Sequence, residues 1–590
     1  MAQQQSKSRK IDPELADLRA RIRHSAAHLL ADAVMRIFPE AKLGIGPPTA
    51  EGFYYDLDVS RPFTPEDLEK IDQTMRETMV QDLPFILKEH QRQELKDLCH
   101  DQPYKLELID DIPEDETLTT YSHGPFSDLC QGPHVPSTGQ IPAFKLLSVA
   151  GAYWRGSEER PMLQRIYGTA FENQEALDDF LARMEEAERR DHRRLGRQLE
   201  LYMSSDLIGS GLPSLLPKGA TIRRLLEEYI LKREREAGYQ HVYTPVLGKV
   251  ELYKTSGHWE HYKDSMYPPM ALEHEELVLR PMNCPHHVLI YKNSLHSYRE
   301  LPIRIGEMGT MYRYEKSGVV GGLSRVRAIN LNDAHIFCTP DQIKAEFAGV
   351  MSLVEQVYAD LGITDYSYRL SLRDPANTEK YVQNDAMWVM GEQVLREALL
   401  ELELPFYEAP GEAAFYGPKL DIQVHDVLGR EETMSTVQVD FHLPDQFDLN
   451  YIGQDGAQHR PVILHRGVIG ATERMMAYLI ELYGGAFPLW LAPVQAVVIP
   501  IADRHADYAH SLKQRLAENG FRVEVDGRNE RMNLKIREAQ VQKIPYMLVA
   551  GDREAEAATA SVRSRDHGDL GPIPIDELIT QLQKELGPNA

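Results

Sequence analysis

Apolar residues recur at intervals of three and four over residues 13–38, which predicts an opening helix. The same spacing returns over 171–200, with no proline, and predicts one long helix there. A third helix is expected over about 220–237, stopped by Gly238 and followed by a strand over 239–246 that closes on Pro245. Between 304 and 338 the period falls to two on either side of a glycine-bearing loop, Ser317 to Gly322. Two strands joined by a long hairpin loop are predicted. Residues 411–441 read as a further strand pair, and 464–474 as a strand opening into an apolar helix. Beyond 491, strands at 495–499, 522–525 and 546–550 alternate with helices at 508–518 and 533–542, a pattern that argues for a parallel α/β sheet.

Length and composition narrow the class. A chain of 590 residues predicts roughly three or four domains. The net charge of −25 argues against indiscriminate nucleic-acid binding, so an RNA partner would have to meet local basic surfaces on an acidic body. Four scattered cysteines (Cys99, Cys130, Cys284, Cys338) make no disulfide framework and suit a reducing compartment. No apolar run approaches the roughly 18 residues that cross a bilayer. The first residues lack the apolar core of a signal peptide. A cytoplasmic protein with no membrane partner and a flexible tail over 1–11 is expected.

Several residue groups carry candidate chemistry. His24 and His28 stand one helical turn apart, and Asp128-Leu129-Cys130 through His134 adds a thiol and a third imidazole at compact spacing. Together they read as a metal or general-base cluster, against the plainer reading of structural histidines. Arg313 and Glu315 precede the glycine-bearing loop, and Arg325 and Arg327 follow it. Guanidinium forks around a loop of this kind suit a polyphosphate, where the alternative is a surface hairpin with solvated charges. Arg474, near the start of a helix that follows a strand, suits an anion as well. Five arginines between Arg189 and Arg197 lie close behind Glu185, Glu186 and Glu188. They fit either a solvated helix laced with ion pairs or a connector that touches RNA phosphates.

The order of these segments is that of a known family. Tyr312-Arg313-Tyr314-Glu315 with its loop and Arg325 resembles the second signature motif of class II aminoacyl-tRNA synthetases. The helix–Gly238–strand–Pro245 stretch resembles motif 1, which builds a homodimer interface, and His465 to Arg474 resembles motif 3. Arg280-Pro281-Met282-Asn283-Cys284-Pro285 and Asp333-Ala334-His335-Ile336-Phe337-Cys338 are similar to the threonyl-tRNA synthetases in particular. So are His24-Ser25-Ala26-Ala27-His28, Gly52-Phe53-Tyr54-Tyr55-Asp56 and Ala150 to Gly156, which resemble that family's editing domain.

The resemblance implies an α+β multidomain protein: tail 1–11, editing domain 12–170, linker helix 171–200, class II antiparallel-sheet core 201–490, and α/β anticodon-binding domain 491–590. It implies ligation of L-threonine to tRNA(Thr) through a threonyl-adenylate, with ATP and Mg²⁺, in a homodimer. One Zn²⁺ would sit on Cys284, His335 and His465, far apart in sequence, with Asp333, Tyr416 and Gln438 around the amino acid. Arg313, Glu315, Arg325 and Arg474 would hold ATP, and His258 would move the proton in acyl transfer. His24, His28, Asp128, Cys130 and His134 would form a metal-free site hydrolysing mischarged seryl-tRNA(Thr), and Glu554 and Arg563 would read the anticodon. A pocket distinguishes threonine from serine by one methyl, worth only about 1–3 kcal/mol, which is why a hydrolytic second sieve is expected.

Some positions depart from the family pattern. Leu331 and Thr433 stand where glutamine is usual, Gly321 where histidine is common, and His286 where glycine is typical. Only about twenty residues precede His24, so the small additional domain of many relatives is not expected. The departures leave two alternatives to the synthetase: an RNA-binding or regulatory paralogue, and an editing-only hydrolase.

Overall fold

The computed structural model describes residues 12–316 and 318–586. The tail expected at 1–11 and Ser317 at the start of the glycine-bearing loop lie outside them. The chain divides into two units at Glu185/Glu186.

In the first unit, helix α1 (Pro13–Ile37) is capped by the Asp12 carboxylate, which accepts from the Glu14 amide. Its middle, Ile22 to Val34, is buried almost without interruption, and it packs on a sheet that contains β1 (Phe53–Asp58), β3 (Ala143–Tyr153) and β4 (Met162–Phe171). Strand β1 pairs with β4, and β4 with β3, all antiparallel. Helix α2 (Pro103–Asp111) and the short strand β2 (Phe126–Leu129) complete the walls of a cavity beside α1.

The long helix expected over 171–200 is two helices, α3 (Gln174–Arg190) and α4 (His192–Gln198). Asp191 makes the break. Its carboxylate accepts from the amides of Arg193 and Arg194, so a new helix starts where the old one would have continued.

The second unit is built on an eight-stranded sheet. Its strands are β5 (Gln240–His241), β6 (Ile303–Tyr312), β7 (Ala328–Cys338), β8 (Tyr366–Leu372), β9 (Phe406–Pro410), β10 (Lys419–His425), β11 (Glu431–Asp440) and β12 (Val462–Gly467). The order is β5-β6-β7-β12-β11-β10-β8-β9. All six inner strands pair antiparallel, and only the two edge strands run parallel to their neighbours. The predicted hairpin is β6–β7, in register from Ile303↔Phe337 to Tyr312↔Ala328. The strand expected over 239–246 shrinks to β5. Beyond His241, the Val242 amide still bonds Gly306, but the Thr244 amide goes to the Glu307 carboxylate at 2.9 Å and leaves the ladder.

Helix α5 (Pro217–Glu236), helix α6 (Cys284–Lys292) and helix α7 (Thr472–Tyr483) set the site on this sheet. One buried charge pair fastens α5 to it. Glu234 and Arg466 have fully buried side chains 2.6 Å apart, and Glu234 also accepts from Asn332 and pairs with His241, each at 2.7 Å. Asn332 in turn accepts from the Val468 amide at 3.1 Å, and Arg466 lies over the Tyr239 ring.

The last part of the chain forms a five-stranded sheet in which β13 (Ala496–Pro500), β14 (Val523–Val525) and β15 (Tyr546–Ala550) run parallel, as expected. After the short helix α8 (Asp552–Ala557) it continues antiparallel with β16 (Thr559–Ser564) and β17 (Gly568–Pro574), so the sheet is mixed. The extra hairpin carries few long apolar residues, which is why alternation alone missed it.

Removing one member of the buried pair leaves the other charged and unmatched. Glu234→Ala is expected to lower stability by about 3–5 kcal/mol, read as an earlier denaturant midpoint for the core, whereas Glu227→Ala on the same helix should change it little.

Candidate active site

Cross-strand register assembles the core site. His335 on β7 lies opposite His465 on β12, which on its other side lies opposite Gln438 on β11. Side chains alternate along a strand. Leu331, Asp333 and His465 therefore face a cavity of about 210 Å³, while Asn332 and Arg466 face the Glu234 pair. Cys284 enters from the first residue of α6.

One ligand atom from each of Cys284, His335 and His465 lies within 4.8 Å of the others, and all three residues are buried. The imidazoles are poised. His287 places Nε2 3.1 Å from the Glu307 carboxylate and Nδ1 2.8 Å from His335 Nδ1. Donation to Glu307 makes His287 Nδ1 an acceptor, so His335 donates from Nδ1 and keeps a lone pair on Nε2. His465 donates from Nε2 to Asp440 at 2.8 Å and keeps its lone pair on Nδ1. Those two nitrogens, His335 Nε2 and His465 Nδ1, are buried and have no hydrogen-bond partner. Two orphaned lone pairs beside a thiol, each imidazole backed by a carboxylate directly or through His287, is a donor set that fits zinc. Burial, with Asp333 and Asp440 nearby, pushes the Cys284 thiol well up, and burial holds His335 well below the usual imidazole range.

The opposite end of the cavity is cationic. Arg313 and Arg474 both line it. The Arg313 fork has a contact to Met282 Sδ at 3.4 Å, and burial lowers its pKa from the ordinary value. Arg474 donates to the Thr433 and Ser324 carbonyls at 3.1 and 3.3 Å. Glu315 and Arg325 pair with one another at 2.9 Å on the loop and are not among the residues lining the cavity.

Tyr416 donates to Gln438 Oε1, and Asp333 sits on the floor, its carboxyl raised by burial. Leu331 and Thr433 also line the cavity, and Thr433 pairs with Gln423 at 2.8 Å. Nothing lies within 4 Å of where a Gly321 Cβ would be, and His286 pairs with the Tyr253 hydroxyl at 3.1 Å. His258 is fully buried behind Tyr416, with Nδ1 2.8 Å from Ser256 Oγ and Nε2 unpaired.

In the first unit the predicted cluster is assembled: one ligand atom from each of His24, His28, Cys130 and His134 lies within 4.8 Å of the others. Cys130 Sγ is 3.2 Å from both His24 Nε2 and His134 Nε2. Ser25 Oγ accepts from the Val135 amide, so its own proton goes to His134 Nδ1 at 3.0 Å. Burial lowers the pKa of all three imidazoles and pushes the Cys130 thiol up to about 11. Asp128 does not join the cluster. Its carboxylate pairs with Lys105 at 2.7 Å and accepts from Tyr55, and all three line a cavity of about 590 Å³ with His24 and Cys130. Lys105 is 3% exposed and escaped the sequence reading. Its one signal is a lysine set in an apolar helical stretch, Tyr104 to Ile109.

Glu554 lies on α8, where its carboxylate accepts from the Gly551 amide, and Arg563 on β16, 3.7 Å from Asp569. They occupy neighbouring elements of the last sheet.

An antiparallel sheet flanked by parallel edges, with paired arginines over one end of its cavity, defines a class II aminoacyl-tRNA synthetase core. Residues 269–483 match the model for the tRNA synthetase class II core domain (G, H, P, S and T), and 495–585 match the anticodon binding domain. Residues 118–167 match the threonyl and alanyl tRNA synthetase second additional domain. A threonine–tRNA ligase of Geobacillus sp. is 57% identical over 98% of this chain and 90% of its own length, and threonine–tRNA ligase 1 of Bacillus subtilis is 56% identical over 96% and 88%. The crystal structure of the RNA binding domain of the Cryptosporidium parvum threonyl-tRNA synthetase has a TM-score of 0.64 at 37% identity, covering 67% of this chain and 98% of that one. The chain belongs to the threonine–tRNA ligase family.

His258 gives a pH prediction. Burial, first, and then His465 hold it at about 3, against about 6.5 unfolded. A histidine whose pKa is lowered by folding adds stability that is intact above the unfolded value and is lost as pH falls from about 6.5 towards 3. At pH 5 the loss is about 2 kcal/mol, and unfolding titrations at pH 7 and pH 5 should show a smaller difference in His258→Gln than in the parent.

Proposed function

We propose that this chain activates L-threonine with ATP, transfers it to tRNA(Thr), and hydrolyses seryl-tRNA(Thr) in its first unit. The observation that carries the reading is the opposition, within one cavity, of two arginines to a Cys–His–His set whose donor atoms are free. Threonine's carboxylate attacks the α-phosphorus, and Arg313 takes up the charge that develops there while Arg474 holds the departing pyrophosphate. Mg²⁺ arrives with ATP. A zinc ion held by Cys284, His335 and His465 would offer an open position to the amino and hydroxyl groups of threonine, the hydroxyl being what valine lacks. Asp333 accepts from that hydroxyl, and Tyr416 and Gln438 orient the adenylate. In the second step the terminal ribose hydroxyl of the tRNA attacks the threonyl carbonyl carbon, the carbonyl–phosphate bond breaks and AMP departs, and the hydroxyl proton goes to His258, whose Nε2 is unpaired. Arg325 and Glu315, paired in this structure, exchange that pairing for ATP.

In the first unit, neutral His24 accepts a proton from water beside Cys130, His134 being committed at both nitrogens to Ser25 and Cys130, and Lys105, held by Asp128 and Tyr55, stabilises the charge on the ester oxygen. Glu554 and Arg563 would read anticodon bases, which are unstacked and accessible at their edges. A homodimer is supported by apolar side chains left open around the motif 1 segment, with Tyr243 92% and Leu247 38% exposed. The reducing-compartment chemistry of the cysteines supports a cytoplasmic location, and no helix among the described residues is long and apolar enough to cross a membrane.

Pyrophosphate exchange on the purified protein tests the core. Exchange with threonine and serine but not valine is expected, with about one zinc per chain and a dimer mass by sedimentation of the same sample; no exchange despite bound zinc would favour the paralogue. The hydrolytic site is tested separately. Lys105→Met should slow deacylation of seryl-tRNA(Thr) by about 100-fold and leave pyrophosphate exchange unchanged.

A further inference from the structure

The connector residue His192 makes contacts that the synthetic mechanism has not used. It is the first residue of α4 and is 6% exposed, with both ring nitrogens engaged. Nδ1 lies 2.6 Å from Glu481 Oε1, on the same helix α7 whose first turn presents Arg474, and the His192 amide donates to the same oxygen at 3.2 Å. On the other side, the Leu323 amide donates to Nε2 at 3.2 Å.

Those partners fix the tautomer. An amide can only donate, so Nε2 must carry a lone pair, and the proton sits on Nδ1, aimed at the Glu481 carboxylate. The imidazole therefore bridges α7 to the return arm of the loop between β6 and β7. That arm is shaped to receive it. Gly322 has φ +51°, and a Cβ there would lie 2.1 Å from His192 Nε2. Leu323 is fully buried in the main core, and the next residue, Ser324, accepts from Arg474 at 3.3 Å. Arg325 follows, paired across the loop with Glu315.

We propose that His192 is a positioning residue for nucleotide binding: with Arg474 it forms one of two struts that hold the loop arm against α7 and so set Arg325 relative to Arg474. The proposal rests on the reading of the core as an ATP-activating site. His192 touches neither substrate nor cofactor; it acts through Leu323. It also places the loop's anchor on the connector helix, outside the sheet and outside all three class II motifs. The physical reason is that the loop is polar and glycine-bearing, with only Leu323 and Val326 as buried apolar residues in this arm to hold it down. A neutral imidazole can accept from a backbone amide and donate to a carboxylate at once, from two nitrogens on one rigid ring.

Pyrophosphate exchange at varied ATP and varied threonine tests this, on the parent protein and on His192→Ala, His192→Gln and Gly322→Ala. In His192→Ala the KM for ATP should rise about tenfold or more, with the KM for threonine within about twofold. Gly322→Ala, which evicts the imidazole sterically, should show the same split although His192 is intact. His192→Gln, whose amide can both accept and donate, should recover part of the loss. As a readout independent of activity, amide hydrogen exchange over the peptide containing Leu323 should speed up in His192→Ala and Gly322→Ala. An unchanged KM for ATP, or equal rises in both KM values, overturns the proposal. Loss of protection spread over the whole core, in place of the loop arm alone, overturns it too. A parent protein that performs no exchange with threonine overturns the functional reading instead, and is told apart by that control.

Discussion

The core site depends on a single buried ion pair on the far side of its own sheet. Glu234 and Arg466 are both fully withdrawn from water, and a pair of that kind is costly where its remaining donors and acceptors are unmatched. Asn332 and His241 match Glu234, while on the other side Arg466 Nε and Nη2 make no hydrogen bond and the guanidinium lies against the Tyr239 ring instead. The constraint is useful because of strand parity. Arg466 adjoins His465, and Asn332 adjoins Asp333, so locking the one set of side chains into the helix layer turns the other set into the cavity. The ion pair contributes little net stability by itself; its effect is to make any other register very costly.

Around the cavity, polar groups are satisfied outward and left open inward. Glu307 orients His287, His287 orients His335, and Asp440 orients His465, so each imidazole spends one nitrogen on the protein. Low dielectric makes an unpaired buried nitrogen expensive, and two of them converging with a thiol is an arrangement that a cation relieves. The cluster in the first unit is built differently. His134 is oriented by a serine hydroxyl, and the nearest carboxylate, Asp128, is already committed to Lys105. Two sites of similar composition are thus set up for different chemistry by what stands behind the imidazoles.

Much of this was legible in the sequence because it is local. The β6–β7 hairpin, α1 with its histidine pair and the parallel strands of the last sheet all announce themselves by period. The cluster of His24, His28, Cys130 and His134 was legible too, since helical spacing supplies one half and a compact turn the other. The zinc-type trio was not readable from spacing: Cys284, His335 and His465 meet only through strand pairing, and the resemblance to a family supplied them. His287 is one turn from Cys284 and Asp440 two residues from Gln438, so both lay on faces already picked out, yet nothing local distinguishes them from core histidine and strand-end aspartate. Lys105 was hidden because its partners come from β1 and β2. The expected single helix over 171–200 failed for a local reason that composition does not weigh, the capping carboxylate of Asp191.

The strand order also has a consequence for synthesis of the chain. Strand β12 fills the gap between β7 and β11, yet it is the last of the eight to be made, after the whole stretch that supplies β8 to β11. A nascent chain that has emitted β7 therefore carries His335 on an open edge, and Cys284 on α6, with neither His465 nor Arg466 to close the sheet. Non-local pairing of this kind forms late. The first unit has all of its residues in hand before the first core strand leaves the ribosome. Newly made chains would thus hold every residue of the first unit's cavity before they hold a complete place to activate an amino acid.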